Sequence, residues 1–150
     1  MHLAGHATSK DGLLWVCDKT GKTERCRPED LAAVFVHARK EGAPIDLIFL
    51  NACDSVHTVI AFLEQEQQQG STQPITFVCW ATPASDKACK TAAKEFYEAL
   101  DKQPSDYKRA YDQAVVKIKF DHKDGGLECA LHQHSAAGRI CFVQKCLMQD

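Results

Sequence analysis

The sequence predicts one layered α/β domain in which helices cover a mostly parallel sheet. Two apolar runs, residues 47–50 and 75–80, lack the polar alternation of half-exposed strands, and such runs are typical of strands buried on both faces. Segments with helical spacing of apolar residues alternate with these runs, which favours parallel strand pairing. At 150 residues, 45% of them hydrophobic and 25% charged, the chain is long enough to form one core.

The first forty residues are predicted to form a short strand, a hairpin and a helix. Residues 1–7 end a strand in a Gly-His turn, and residues 13–17 form a second strand that belongs to a hairpin closed by residues 20–22. Pro28 suits the first position of a helix, and the two acidic residues after it suit the positive end of the helix dipole. The apolar stripe of this helix is Leu31, Val34, Phe35 and Ala38, and Gly42 ends it.

The central apolar strand is followed by a helix over residues 56–69. Its buried stripe is predicted to be Val56, Val59, Ile60 and Leu63. The polar tail at residues 64–69 is interpreted as a solvated helix end, stopped by Gly70.

Two more helices follow the strand at residues 75–80. Ser85 can cap a helix that runs from Asp86 to Leu100, and Ser105 can cap the next one. Residues 122–126 are predicted to be a loop and residues 140–143 a final strand. The apolar faces of the two helices are Cys89, Ala92, Ala93, Phe96 and Leu100 in the first, and Tyr107, Ala110, Tyr111, Ala114, Val115 and Ile118 in the second.

Charge and hydropathy point to a cytoplasmic protein that binds neither nucleic acid nor membrane. The net charge of −2 is spread over dispersed lysines and acids, without a basic patch. No apolar stretch approaches the roughly 20 residues that cross a bilayer, and the first six residues do not resemble a secretory signal. The eight cysteines are therefore interpreted mostly as free thiols.

Cys53 occupies the position of a nucleophile. It follows the buried strand directly and precedes a helix, so it is expected at the carboxyl edge of the sheet, where ligands of open α/β sheets bind. A helix beginning near Ser55 would direct its positive end towards the sulfur. His6, at the end of a strand-like segment, can serve as the base, and its distance along the chain from Cys53 is close to the roughly 50 residues of the caspase pattern. Backbone N–H groups of Cys53 and Ala7 are the candidate oxyanion donors.

Four short motifs together resemble a CHAT domain, a family of caspase-like cysteine peptidases related to separase. They are Leu-Ala-Gly-His-Ala at residues 3–7, Leu-Trp at 14–15, Leu-Asn-Ala-Cys-Asp-Ser at 50–55, and Phe-Tyr-x-Ala-Leu at 96–100. The resemblance covers residues 2 to about 118 in the same order. It implies a caspase-hemoglobinase-like three-layer sandwich and peptide-bond hydrolysis without a cofactor. In this family pattern Cys53 is the nucleophile and His6 the general base and acid.

The resemblance extends to a candidate substrate-binding residue. Residues 80–86 resemble the Trp-containing loop of separases, in which an acid recognises a basic residue before the cut, and this implies that Asp86 binds Arg or Lys. An acid near the N-cap of a surface helix is an equally good account of Asp86. Ala7 departs from the glycine that follows the caspase histidine, although its N–H can still donate.

The family pattern also places two further strands and a helix before the histidine strand. On this interpretation residues 1–150 are one CHAT-like domain truncated at its amino end. An upstream helical-repeat region or a partner chain would then complete the sheet. The sequence thus leaves two functions open: a peptidase acting on protein or peptide substrates, and a non-catalytic interaction or scaffold module.

The late cysteines and histidines are weighed as zinc ligands. Their spacing matches no standard paired-ligand pattern, so solvated histidines and buried thiols are predicted instead of a metal. The residues concerned are Cys129, His132, His134, Cys141 and Cys146.

Overall fold

The computed structural model describes residues 1–7, 14–17, 20–71, 73–121 and 140–145. These residues contain six strands and four helices. The strands are β1 (His2–Ala4), β2 (Leu14–Cys17), β3 (Thr23–Cys26), β4 (Leu47–Asn51), β5 (Ile75–Trp80) and β6 (Ile140–Lys145), and the helices are α1 (Pro28–Lys40), α2 (Val56–Gln68), α3 (Asp86–Lys102) and α4 (Tyr107–Asp121).

The main sheet of the described residues has the order β1-β4-β5-β6. β4 pairs in parallel with both β1 and β5, and β6 runs antiparallel to β5. β2 and β3 form a separate antiparallel pair. The predicted α/β class, the mostly parallel sheet and the early hairpin are therefore confirmed.

Helices cover both faces of this sheet. Every residue of β4 is buried, and its side chains alternate between two core clusters, as the two-residue period of a strand requires. Ile48 and Leu50 pack with α1 and α2, whereas Leu47 and Phe49 pack with α3 and α4. The result is three layers, and this is why the central strand is an unbroken apolar run.

The ends of α1 follow from its sequence. Pro28 stands at the first helical turn, and Glu29 and Asp30 supply negative charge there. At the other end Gly42 has a φ of +88°, a conformation that glycine adopts without strain. Its N–H donates to Arg39 O (2.9 Å) and the next N–H donates to Ala38 O (2.9 Å), the two bonds of a Schellman motif.

A buried ion pair holds the amino-terminal edge of the sheet. Arg39 of α1 and Glu66 of α2 are both buried, with Nε 3.0 Å from Oε1. The guanidinium also donates to Ile45 O (2.7 Å), just before β4, and to Gln73 O (3.1 Å), just before β5. One side chain therefore links two helices to the starts of two neighbouring strands.

Three helix positions differ from the sequence prediction. Val34 and Ile60 were predicted to be buried but are 58% and 48% exposed, and Glu66 in the supposedly solvated tail is 2% exposed. The buried face of α1 extends to Arg39, and the buried face of α2 includes Phe62 and Glu66. Both faces are thus rotated relative to the predicted apolar stripes. A pattern of hydrophobic periodicity assigns charged residues to the surface. It therefore does not predict a buried pair whose opposite charges neutralise each other.

Of the two predicted caps of the later helices, one is confirmed and the other is wrong. The Ser85 side chain accepts from the Ala88 N–H (3.2 Å) and caps α3 as predicted. Ser105 does not cap α4: it has a φ of +71°, and the Arg109 N–H bonds to Asp106 Oδ1 (3.1 Å) instead. Asp106 thus takes the cap, one residue closer to the helix.

Some predictions lie on residues outside the described ranges. These are the loop at residues 122–126 and most of the late cysteine-histidine cluster. Cys26, Cys53, Cys79 and Cys89, the cysteines whose side chains the structure describes, are free thiols, as predicted. Among the described residues, no helix combines the length and apolarity needed to cross a bilayer.

Removing one partner of the buried ion pair should strongly destabilise the domain. Glu66→Ala leaves the Arg39 guanidinium uncompensated in the core, and we expect the free energy of unfolding in urea to fall by about 3–5 kcal/mol. Glu98→Ala removes a partner from the exposed Lys94–Glu98 pair and should cost less than about 0.5 kcal/mol. Similar small losses in both variants would contradict a structural role for the buried pair.

Candidate functional site

The register of β1 on β4 brings the two predicted catalytic residues to the same edge. Ala4 pairs with Asn51 in the parallel ladder, and the Gly5 N–H donates to Asn51 O (3.4 Å). His6 lies two residues beyond Ala4, and Cys53 lies two residues beyond Asn51. Neighbouring strands are about 4.8 Å apart, so the segments that carry the two residues leave the same edge of the sheet from adjacent strands.

The surroundings of the two side chains differ. His6 is exposed, whereas Cys53 is partly buried beneath the segment that follows β5. The Ala84 N–H donates to Cys53 Sγ (3.3 Å), and the thiol donates to Ala84 O (3.5 Å). The next residue along, Asp54, donates its N–H to Thr82 O (3.4 Å). Residues 82–84 therefore lie directly against the cysteine turn.

Asn51, the last residue of β4, ties this edge together from the inside. It is 7% exposed, its Oδ1 accepts from Trp80 Nε1–H (2.9 Å), and its Nδ2 donates to Cys89 O (3.0 Å). We call these two contacts the Asn51 clamp. The clamp joins β4 to the end of β5 and to the first turns of α3.

Ser55 fixes the turn that carries Cys53. Its buried hydroxyl donates to Leu50 O (2.9 Å) and accepts from the Trp80 backbone N–H (3.1 Å). The turn after β4 is therefore bonded back to its own strand and across to β5. From the sequence, Ser55 was identified as the start of a helix and as part of the 50–55 motif, and Trp80 as the first residue of the separase-like loop, but neither was predicted to make these bonds. Polar residues placed directly after a buried strand were the available signal.

Asp54 is a site residue that sequence reasoning did not single out. It has a φ of +50°, is 6% exposed, and its Oδ2 has no hydrogen-bond partner. Burial raises the pKa of this carboxyl, and the nearby His57 opposes the rise in part. The carboxylate thus lies in a costly position one residue after the candidate nucleophile.

Asp86 lies at the same edge but on the surface. It is the first residue of α3 and is exposed, where its charge suits the positive end of the helix. Its charge contributes to the raised pKa of Cys89, which places the carboxylate near the cysteine side of the edge. Both accounts of Asp86 given by the sequence are compatible with this position.

The two predicted oxyanion donors belong to this edge as well. Ala7 follows His6 and packs partly buried against the α1/α2 core, and Cys53 follows the buried Ala52. Both residues follow strands that are neighbours in the sheet: Ala7 comes three residues after β1 and Cys53 two residues after β4.

No metal site is found in the part of the chain that the structure describes, where no three His, Cys, Asp or Glu side chains gather to hold an ion. Of the five late cysteines and histidines weighed as zinc ligands, only Cys141 lies on a described element, β6, and the other four fall outside.

Neither a protein-family model nor a curated protein matches the chain. The residues at the carboxyl edge of the sheet are therefore the features from which a function can be inferred.

The Asn51 clamp predicts a measurable coupling between two strands. Asn51→Ala leaves the Trp80 indole N–H and the Cys89 carbonyl without their buried partner, and we expect a loss of about 2–4 kcal/mol in unfolding free energy. Trp80→Phe should cost less in the Asn51→Ala background than in the wild type. A double-mutant cycle should give a coupling of about 0.5–3 kcal/mol, whereas additive losses would contradict the clamp.

Asp54 predicts a stabilising substitution with a defined pH dependence. Its folded-state pKa is raised above the unfolded value near 3.8, so its ionisation costs stability as the pH rises through the folded-state pKa. Asp54→Asn should therefore unfold at higher urea than wild type at pH 7, and the gain should disappear below about pH 4, where the carboxyl is protonated in both states.

A matched variant separates charge from backbone conformation at this position. Asn tolerates the left-handed φ of residue 54, whereas Asp54→Ala removes the charge and adds strain of about 1 kcal/mol relative to Asn. A gain for Asp54→Asn that persists unchanged at pH 3 would show that desolvation of the carboxylate is not its cause.

Proposed function

We propose that this chain is a caspase-like cysteine endopeptidase domain of the CHAT type, acting on protein substrates through a Cys53–His6 dyad. The observation that supports it most is the register of β1 on β4, which sends His6 and Cys53 out of the same sheet edge on neighbouring strands. The three-layer arrangement, with helices on both faces of a mostly parallel sheet, agrees with a caspase-hemoglobinase-like sandwich.

The proposed chemistry uses groups at that edge. His6 removes the proton of the Cys53 thiol, and the sulfur attacks the carbonyl carbon of the scissile peptide bond. The N–H groups of Ala7 and Cys53 donate to the oxygen that becomes negative. His6 then gives its proton to the leaving amine, and water, deprotonated by His6, hydrolyses the thioester and restores the thiol.

The Ala84 contact bears on this scheme. Its N–H is directed at Cys53 Sγ, so the sulfur keeps a hydrogen-bond donor after its proton has left. The carbonyl of the same residue accepts from the thiol and must lose that contact when His6 takes the proton. The bond from the Ala84 N–H is therefore the contact that the sulfur retains in both protonation states.

A non-catalytic interaction module is the second candidate, and the position of β1 favours it. β1 has only three residues, lies at the edge of the described sheet, and exposes His2 and Ala4. An edge of this kind accepts a further strand from an upstream region or a partner chain. In this case the dyad would be a relic of a catalytic site.

Thiol labelling tests the assembled dyad. With limiting iodoacetamide or an acyloxymethyl ketone at neutral pH, peptide mapping should find modification concentrated at Cys53 in the wild type and in His37→Ala, an exposed control on α1. His6→Ala should lose this selectivity, because the sulfur has no base. On a cleaved protein substrate, kcat/KM should fall by about 100-fold or more in His6→Ala.

The opposite result is equally clear. Slow modification spread over all eight cysteines, unchanged by His6→Ala, would contradict an assembled dyad and favour the interaction module.

The proposed specificity for a basic residue depends on Asp86. Fluorogenic peptides that end in Arg or Lys should be cleaved with a lower kcat/KM by Asp86→Ala, because the variant lacks the carboxylate that pairs with the substrate cation. Asp101→Ala, at the far end of α3, is the matched control and should cleave like wild type. Equal preference for basic peptides in wild type and Asp86→Ala would rule out this role.

A further inference from the structure

A second cysteine lies at the edge that carries Cys53. Cys89 is in the first turns of α3, partly buried against the α3/α4 core. The proposed peptidase chemistry assigns it no role. From the sequence, Cys89 was predicted only to lie on the apolar face of a helix.

Two tethers bring Cys89 to Cys53. In the Asn51 clamp, the side chain of Asn51, two positions before Cys53, donates to Cys89 O (3.0 Å). On the other side, Cys53 Sγ contacts the backbone N–H and carbonyl of Ala84. The residue after Ala84 is Ser85, and its carbonyl accepts from the Cys89 N–H (3.0 Å).

The direction of the Cys89 side chain follows from helix geometry. Helical side chains tilt towards the amino end of their helix, and residues i and i+4 share one face. The Cys89 thiol is thus directed over Ser85, back towards the Ala84 backbone that contacts Cys53. The charge of Cys53 helps to raise the pKa of Cys89 to about 11, after burial as the larger cause.

The sheet separates the other described thiols from this pair. Cys79 is buried with α1 and α2, and Cys26 packs on the same cluster. Cys89 lies with α3 and α4 on the opposite face. Among the cysteines whose side chains the structure describes, Cys89 is therefore the one that the fold directs towards Cys53.

We propose that Cys53 and Cys89 form a reversible disulfide when a hydroperoxide oxidises Cys53. The Cys53 thiolate attacks the peroxide O–O bond, an S–O bond forms, and hydroxide (or alkoxide) leaves and takes up a proton, which yields a sulfenic acid. The Cys89 sulfur then attacks that sulfur and the S–S bond forms, while the hydroxyl leaves as water with the thiol proton. The two thiols lose two electrons to the peroxide, and an external dithiol returns them.

The roles of the two thiols are asymmetric. Burial raises the pKa of Cys89 to about 11, so Cys89 presents very little thiolate to an oxidant at neutral pH, and the first attack on the peroxide is assigned to Cys53. The disulfide would occupy the sulfur that the peptidase needs. It does not require peptide hydrolysis, however, and the site would exist in an inactive domain as well.

Peptide mapping without reduction tests the proposal on the full chain. After treatment with hydrogen peroxide and blocking of free thiols with iodoacetamide, trypsin cleaves after Lys40, Lys87 and Lys90, which places Cys89 alone in residues 88–90. We expect this short peptide to be linked to residues 41–87 in the wild type and in Cys79→Ala, and to be released by dithiothreitol.

Two variants complete the test. Cys53→Ala and Cys89→Ser should both lose the linked peptide, and Cys53 in Cys89→Ser should proceed to sulfinic acid because no thiol intercepts the sulfenic acid. The proposal is overturned if wild type gives no link between these peptides, if Cys79→Ala abolishes it, or if Cys53 reaches sulfinic acid equally in wild type and Cys89→Ser. Each of these results is a measured mass, so it does not depend on whether the chain has the proposed peptidase activity.

Discussion

The carboxyl edge of the sheet depends on the satisfaction of buried polar groups where β4 and β5 end. A strand that is covered on both faces must have partners for the backbone and side-chain polar atoms at its exit, since water does not reach them. The side chains of Asn51 and Ser55 are these partners: Asn51 bonds to the Trp80 indole and to Cys89 O, and Ser55 bonds to Leu50 O and to the Trp80 backbone N–H. The same bonds set the path of the turn that holds Cys53. The geometry of the nucleophile is thus a consequence of how the core is closed.

The opposite edge of the sheet is held by charge. The Arg39–Glu66 pair links α1 and α2, and its guanidinium reaches the carbonyls that precede β4 and β5. β4 and β5 are therefore fixed at both ends, whereas β1 is held along one side. Its supports are the ladder with β4, the bond from the amino terminus to Leu47 O (2.7 Å), and stacking of His2 on Phe49 at 5.0 Å. The histidine of the proposed dyad thus stands on the less anchored strand.

The residues at the edge divide into a buried set and an accessible set. Asn51 and Ser55 are buried and make structural bonds, whereas His6 and Asp86 are exposed and Cys53 is partly exposed. Asp54 belongs to neither set, because it is buried, charged and left with an unpartnered oxygen. Its left-handed backbone lets the chain leave β4 and enter α2 within a few residues, and the poor environment of its carboxylate accompanies that sharp turn.

The sequence alone determined the α/β class, the parallel pairing and the positions of β4, β5 and α3, because these depend on local periodicity, capping and apolar runs. It also placed His6 and Cys53 at strand ends. It did not predict that Val34 and Ile60 are exposed or that Arg39 and Glu66 lie on the buried faces of α1 and α2, because the two charges that pair there are far apart in the chain. Only the tertiary structure decided the bonds from Asn51 to Trp80 and Cys89 and the contact between Cys53 and Ala84. Those partners are about thirty or more residues apart, and their approach depends on packing of the whole sheet, which no local pattern encodes.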